Sequence, residues 1–155
     1  WEYIIKQELA RLPLNGEMLN GEMTSWFGFI TLDNLSSIRT RHRLDELQQL
    51  QEKLVIQINP SQFGFTGLIG AKTDYVYAFF IQDENPGVVK NWFRELIKGD
   101  AINMQFSNGK SEEIEFLAGY TKLDSSDTDY NNIVQRAKSA LSDTVKNPEK
   151  VICKK

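Results

Sequence analysis

The chain has one cysteine, Cys153, one histidine, His42, and four prolines among 155 residues. A lone cysteine excludes a disulfide framework and a thiolate metal cluster, and points to a reducing, cytoplasmic setting. A lone histidine with no cysteine beside it leaves no imidazole metal site. No apolar run reaches the roughly 20 residues of a membrane-spanning helix, and no signal peptide is visible. Excess positive charge is also missing. There are 18 Lys+Arg against 21 Asp+Glu, a net charge of −3. That argues against a nucleic-acid backbone binder, a local basic patch aside. No internal repeat, low-complexity tract or linker interrupts the chain. What is present, 41% apolar and 25% charged residues, is the composition of one globular domain over 1–155 with room for a core. The chain starts at Trp1, without Met, inside a helical pattern. It reads as a fragment of a larger multidomain protein.

Trp1, Ile5, Leu9 and Leu12 recur at helical spacing, and Pro13 follows. Asn15-Gly16 and Asn20-Gly21 mark a loop. The run over 26–32, WFGFITL, predicts a buried strand. Ile38, Leu44, Leu47, Leu50, Leu54 and Ile58 predict one long amphipathic helix, which Asn59-Pro60 ends. Residues 67–82, GLIGAKTDYVYAFFIQ, are the most informative stretch. They give two apolar strands, about 65–70 and 75–81, joined by a tight polar four-residue connection. Pro86 precedes a helix with Val89, Trp92, Phe93, Leu96 and Ile97 on its apolar face and Gly99 at its end. Strand-like runs over 102–106 and 113–117 flank Asn108-Gly109, a strong hairpin signal. Asp127 or Thr128 caps a last helix carrying Val134, Ala137, Leu141 and Val145. Val151–Cys153 is an edge strand guarded by lysines. This order predicts an α+β fold, with two long helices on one face of a mainly antiparallel sheet.

The same order resembles a GGDEF domain, the diguanylate cyclase domain, over nearly the whole chain. Four landmarks carry the resemblance. Residues 31–39, TLDNLSSIR, stand where the family has Asp-x-Asp-x-Phe-Lys-x-Ile-Asn. Ala71, Lys72, Thr73, Asp74 and Tyr75 stand where it has Gly-Gly-Asp/Glu-Glu-Phe on a hairpin. Leu117-Ala118-Gly119 is similar to its Ser-Ile-Gly strand. Residues 136–142, RAKSALS, are similar to its Arg-Ala-Asp-x-Ala-Leu-Tyr helix. The family's opening Asp-x-Leu-Thr-Gly-Leu-x-Asn-Arg is absent. The resemblance implies a nucleotidyl-cyclase-like fold with a ferredoxin-like core.

It also implies a broken site. Cyclases condense two GTP molecules, largely by positioning and divalent-metal charge neutralisation. The family's first metal Asp aligns with Thr31, a neutral hydroxyl, and its second metal carboxylate with Asp74. Ala71 and Lys72 put side chains where paired glycines let the nucleotide approach the backbone. The guanine-reading Asn aligns with Arg39, which has no acceptor, and the guanine-contacting Asp with Asp45. The inhibitory Arg-x-x-Asp site falls on 61–65, SQFGF, and is missing. A register one residue later pairs Asp74 with the third signature position, and neither register restores Gly-Gly.

Each candidate has a plainer reading. Asp74 is the one candidate metal ligand, and its plainer reading is a turn residue. Asp33 reads as a strand-end or cap residue. Arg39, Arg41, His42 and Arg43 form the only basic cluster, either a phosphate or RNA contact or a solvated helix turn. The aromatics at 75–80 resemble the base-stacking strand of RNA-recognition motifs, and read more plainly as core. The resulting expectation is a catalytically inactive regulatory or signalling module needing no cofactor. Its partners are other domains of the same protein, an EAL phosphodiesterase-type domain among them, or a separate protein. The fragment makes no membrane contact and is cytoplasmic, on its own or as the cytoplasmic part of a membrane-anchored protein. Alternatives are residual GTP or cyclic di-GMP binding with weak cyclase activity, and an RNA-binding or RNA-turnover module. The last follows from Lys72-Thr73-Asp74-Tyr75, which is similar to the CsrD/MshH type of regulator, linked to turnover of small regulatory RNAs.

Overall fold

The computed structural model describes residues 1–11, 24–73, 75–99, 102–106, 109–124, 126–127 and 129–154. Leu12, Pro13, the two early Asn-Gly pairs, Asp74, Asn108 and Thr128 lie outside them. Helix α1 (Glu2–Arg11) is followed by strand β1 (Thr24–Leu32) and helices α2 (Leu35–Arg41) and α3 (Leu44–Gln57). A 3₁₀ turn, Pro60–Phe63, leads into β2 (Thr66–Thr73) and β3 (Val76–Asp83). Then come α4 (Val88–Lys98), β4 (Asn103–Gln105), β5 (Ser111–Glu113), β6 (Phe116–Lys122), α5 (Tyr130–Thr144) and β7 (Val151–Cys153).

The main sheet runs β2-β3-β1-β6-β7. Strand β1 lies at its centre, antiparallel to β3 and to β6. The last pair, β6 and β7, is parallel, with α5 as the crossover between them. Successive side chains of a strand point to opposite faces. In β1, Trp26 and Ile30 therefore face one side while Phe27 and Phe29 face the other, and all four are buried. On the first face, Leu50, Leu54, Ile58, Val89 and Trp92 of α3 and α4 cover Ile30, Tyr77 and Phe79. On the second, Ile5, Ile133 and Ala137 of α1 and α5 cover Phe27, Phe29 and Phe80. Helices thus lie on both faces, not on one as expected. The unbroken apolar runs in β1 and β3 require it, because a sheet with one wet face alternates instead.

Two contacts fix the layers. Fully buried Trp92 donates its indole N–H to the Ile58 carbonyl, 3.1 Å away, and so ties α4 to the end of α3. Truncating such a side chain costs about 3–5 kcal/mol. On the other face α5 lies directly on β6 at Gly119. A Cβ there would overlap the backbone of Ala140 and Leu141.

Several elements differ from expectation. The single helix expected over 38–58 is two, parted at His42, whose backbone is extended (φ −133, ψ 152). The break re-phases the second helix, so Leu44 is 84% exposed while Leu47, Leu50 and Leu54 are buried. The four-residue hairpin connection is shorter, since β2 and β3 pair as far as Thr73 and Val76. The partner of β4 is Ser111–Glu113, not 113–117. Residues 116–121 are buried throughout and form a central strand, which a polar two-stranded ribbon does not accommodate. The cap of α5 is Asp129, which accepts from the Asn131 N–H at 2.9 Å. Asp127 is instead engaged by Arg136. Ile133, Val134, Ala137, Ala140 and Thr144 are buried on α5 and Leu141 is partly buried, so Val134, Ala137 and Leu141 face the core as expected, whereas Val145 is exposed. Ile97 is likewise exposed on α4.

Candidate functional site at the hairpin end of the sheet

Three pieces of chain converge where β1 ends: the β2–β3 hairpin, the α2–α3 junction and the β4–β5 ribbon. In the hairpin, Tyr75 has φ 61, a left-handed conformation uncommon for a bulky residue. Its side chain is nonetheless buried. Two bonds hold it. Its hydroxyl donates to the Leu47 carbonyl at 3.1 Å, and its own carbonyl accepts from Thr31 Oγ1 at 2.8 Å. Tyr77, on the same face, donates to the Gln51 carbonyl at 3.2 Å. Leu47 and Gln51 stand four residues, about one turn, apart on α3. The two phenols therefore match one turn of α3. Burial raises the Tyr77 pKa and keeps the phenol a donor. The Arg39 guanidinium lies 5.3 Å from the Tyr75 ring centroid, a cation–π contact.

Ala71 and Lys72 both have exposed side chains. The Lys72 ammonium sits 4.3 Å over the Phe29 ring, on the α1/α5 face. Burial, and then the nearby Lys138 charge, hold its pKa below the ordinary lysine value. The described residues do not fit a divalent metal here. Mg²⁺ is held by hard oxygen ligands that include carboxylate. Thr31 offers a neutral hydroxyl that is already donated to Tyr75. Asp33 is paired with Lys150 at 3.1 Å. The segment expected to lack the inhibitory arginine is the 3₁₀ turn, capped by Asn59 accepting from the Ser61 N–H and closed by Gly64 at φ 84.

The basic run is built into the domain. Arg41 grips Glu112 with two bonds of 2.8 and 2.7 Å. His42 is buried, with Nε2 2.8 Å from Glu112 and Nδ1 3.3 Å from Glu46. The same ring stacks on Phe106 of the ribbon, 3.8 Å between centroids. Arg43 reaches Asp45 and Glu46, each at 3.4 Å. Asn34 adds a further tie, donating to the Glu113 carbonyl and accepting from the Glu115 N–H. The Arg41 bonds hold the Glu112 carboxyl down to about 2 against the cost of burial. Burial opposes ionisation of Glu46, but the Arg43 N–H and His42 outweigh it and lower its pKa. Of the four candidate ligand contacts, Arg39 meets Tyr75, Arg41 is paired with Glu112, and the exposed Arg43 and Asp45 meet each other at 3.4 Å. Sequence alone does not reveal Glu112 and Phe106 as their counterparts. The Asn108-Gly109 signal marks the ribbon, but nothing 70 residues away says where it docks.

The last-helix landmark is also structural. Arg136 bonds Asp127, Thr121 Oγ1 and the Lys122 carbonyl. It forms one wall of a cleft of about 430 Å³ at the opposite end of the sheet.

No family description and no curated protein matches the sequence. Solved structures do match. The FimX GGDEF domain from Pseudomonas aeruginosa superposes with TM-score 0.76 at 18% identity, over 99% of this chain and 90% of that one. The active GGEEF domain of a Vibrio cholerae diguanylate cyclase gives 0.71 at 15%, over 98% and 90%. The diguanylate cyclase SiaD of P. aeruginosa, in complex with its activator SiaC, gives 0.74 at 13%, over 97% and 55%. At these identities the likeness speaks for architecture alone, and the chain has the fold of the GGDEF domains.

Proposed function

We propose that this GGDEF-fold domain makes no cyclic di-GMP and acts as a regulatory module through protein contacts, with an EAL-type or other domain of its own protein or with a separate partner. The observation that carries this reading is the Thr31–Tyr75 bond. Where the resemblance places a metal-binding carboxylate, the chain has a hydroxyl, and that hydroxyl closes the hairpin. The side chains of Ala71 and Lys72 reinforce it by occupying the nucleotide's approach to the backbone. SiaD, part of which shares this fold, is seen with a protein activator, which motivates a search for a protein partner here. The RNA reading loses support because Arg41 and Arg43 are answered by Glu112, Asp45 and Glu46. The test is incubation with GTP and Mg²⁺ or Mn²⁺, followed by chromatography. The expected result is no product above a protein-free control. Product that disappears in Asp74→Ala overturns the proposal.

A further inference from the structure

A second surface lies away from the hairpin, between α4 and the edge strand β7. It is a groove of about 340 Å³ lined by Lys90, Phe93, Arg94 and Ile97 of α4 and by Lys150 and Val151. Positions 90, 94, 97 and 98 share one side of a helix. Lys90, Arg94, Ile97 and Lys98 are exposed there. Among the described residues no carboxylate pairs with Lys90, Arg94 or Lys98, whereas Arg41 and Arg43 of the α2–α3 junction are matched by acids. Glu149 is the single acid on the groove wall. On a chain of net charge −3, this is a segregated cationic stripe beside an apolar floor of Phe93, Ile97 and Val151.

The groove's other wall is an open strand edge. Strand β7 pairs only with β6 and ends the sheet. The Lys150 carbonyl accepts from Ala118 and the Lys154 N–H donates to Tyr120, so residues 150 and 154 face inward. Backbone groups alternate along a strand, so the N–H and C=O of Val151 face outward.

We infer that this groove docks an extended acidic peptide segment of a protein partner, added alongside β7 with alternate acidic side chains over Lys90 and Arg94. Strand addition takes its affinity from main-chain bonds and its specificity from alternate side chains. Charge complementarity selects the occupant. A second copy of this chain would set lysine-flanked edges against each other, which opposes pairing. Single-stranded nucleic acid wants open aromatic faces for its bases, and Phe93 is only 4% exposed. The inference deepens the protein-contact reading and rests on it, yet the two fail separately. Cyclase product would sink that reading without touching a peptide titration, and absent peptide binding would leave the cyclase result as it stands.

The experiment is fluorescence anisotropy of the whole chain with a panel of labelled peptides, about ten residues each, alternating Glu with Leu, Val or Ile. Saturable binding with Kd on the order of 10 μM is expected for at least one, weakening as salt rises to about 0.5 M. Lys90→Glu with Arg94→Glu should weaken it at least about tenfold. Val151→Pro, which removes the outward N–H alone, should do the same. Circular dichroism confirms that each variant is folded, and the salt titration needs no variant. No saturation by any peptide, indifference to both variants, or preference for a single-stranded RNA oligonucleotide would overturn the inference.

Discussion

The hydroxyl of Thr31 donates to the main-chain carbonyl of Tyr75 across 2.8 Å, joining the end of the central strand to the tip of the neighbouring hairpin. Tyr75 needs that hold, because its left-handed backbone costs about 1 kcal/mol or more in a non-glycine residue. Burial of its ring and its bond to the Leu47 carbonyl outweigh the strain.

The opposing terms give an unusual order of substitutions at this position. Tyr75→Phe should cost about 1 kcal/mol, the net value of one hydrogen bond. Tyr75→Ala should cost about 3–5 kcal/mol, since it loses the ring and keeps the strain. Tyr75→Gly should be milder than alanine by about 1 kcal/mol, the reverse of the usual ranking within a strand. Thr31→Val should cost about 1 kcal/mol by removing the donor. Urea unfolding ranks all four. Alanine proving milder than glycine would mean that position 75 is not left-handed in solution.

At Gly119, alanine should be among the most damaging small changes in the molecule. Its Cβ meets the backbone of α5, which no rotamer change can move aside. Overpacking costs about 1–3 kcal/mol where side chains can adjust, and here the upper end or more is expected. Gly70→Ala is the control, because its Cβ finds only the Trp1 ring at 3.4 Å, an ordinary contact. Thermal unfolding of the pair should show a large loss for the first and little change for the second.

Glu112 gives the domain an acid-sensitive joint. Its carboxyl is held at about 2 in the folded state, first by Arg41 and then by His42, against an ordinary value of 4.5. A depressed carboxylate contributes stability that is full above the unfolded value and is lost as pH falls through the folded one. The contribution should therefore be complete at pH 7 and fade between about pH 4.5 and 2. Glu112→Gln isolates it. Wild type should resist urea far better than the variant at neutral pH, and the gap should close as the pH approaches the folded value. A gap that stayed constant with pH would show that the ionised group is not what stabilises the junction.

Local signals carried much of this fold. The apolar run at 26–32, the Trp92 face of α4 and the lysine-flanked strand at 151–153 are each set by neighbours a few residues away, and all three stand in the structure. What escaped was decided at long range. The helix break at His42 follows from a buried ring placed between Glu46 and Glu112 and stacked on Phe106. No periodicity within 38–58 encodes that. The basic run likewise looked like a surface because Glu112, the partner of Arg41 and His42, lies some 70 residues on. Thr31 was legible as a departure from the family's metal carboxylate, but its partner Tyr75 was not, since that bond depends on strand register. On α5 the expected face holds at Val134, Ala137 and partly buried Leu141, and fails at Val145, which lies just past the helix end at Thr144.

The arginines of the α2–α3 junction should separate cleanly by role. Arg41 makes a two-bond grip on a nearly buried carboxylate. Removing it leaves Glu112 short of its main counter-charge, and breaking such a pair is destabilising. Arg43 is 79% exposed and meets its acids only at 3.4 Å, a geometry worth little. Arg41→Gln should thus lower the melting temperature clearly, while Arg43→Gln leaves it nearly unchanged. Neither should alter retention of a labelled single-stranded RNA, because Arg41 is held by Glu112 and Arg43 lies beside Asp45 and Glu46. Affinity for RNA that falls steeply with salt and is lost in Arg43→Gln without a change in melting temperature would return the junction to the list of ligand sites. Equal destabilisation by both variants would mean instead that Arg43, not only Arg41, holds the ribbon in place.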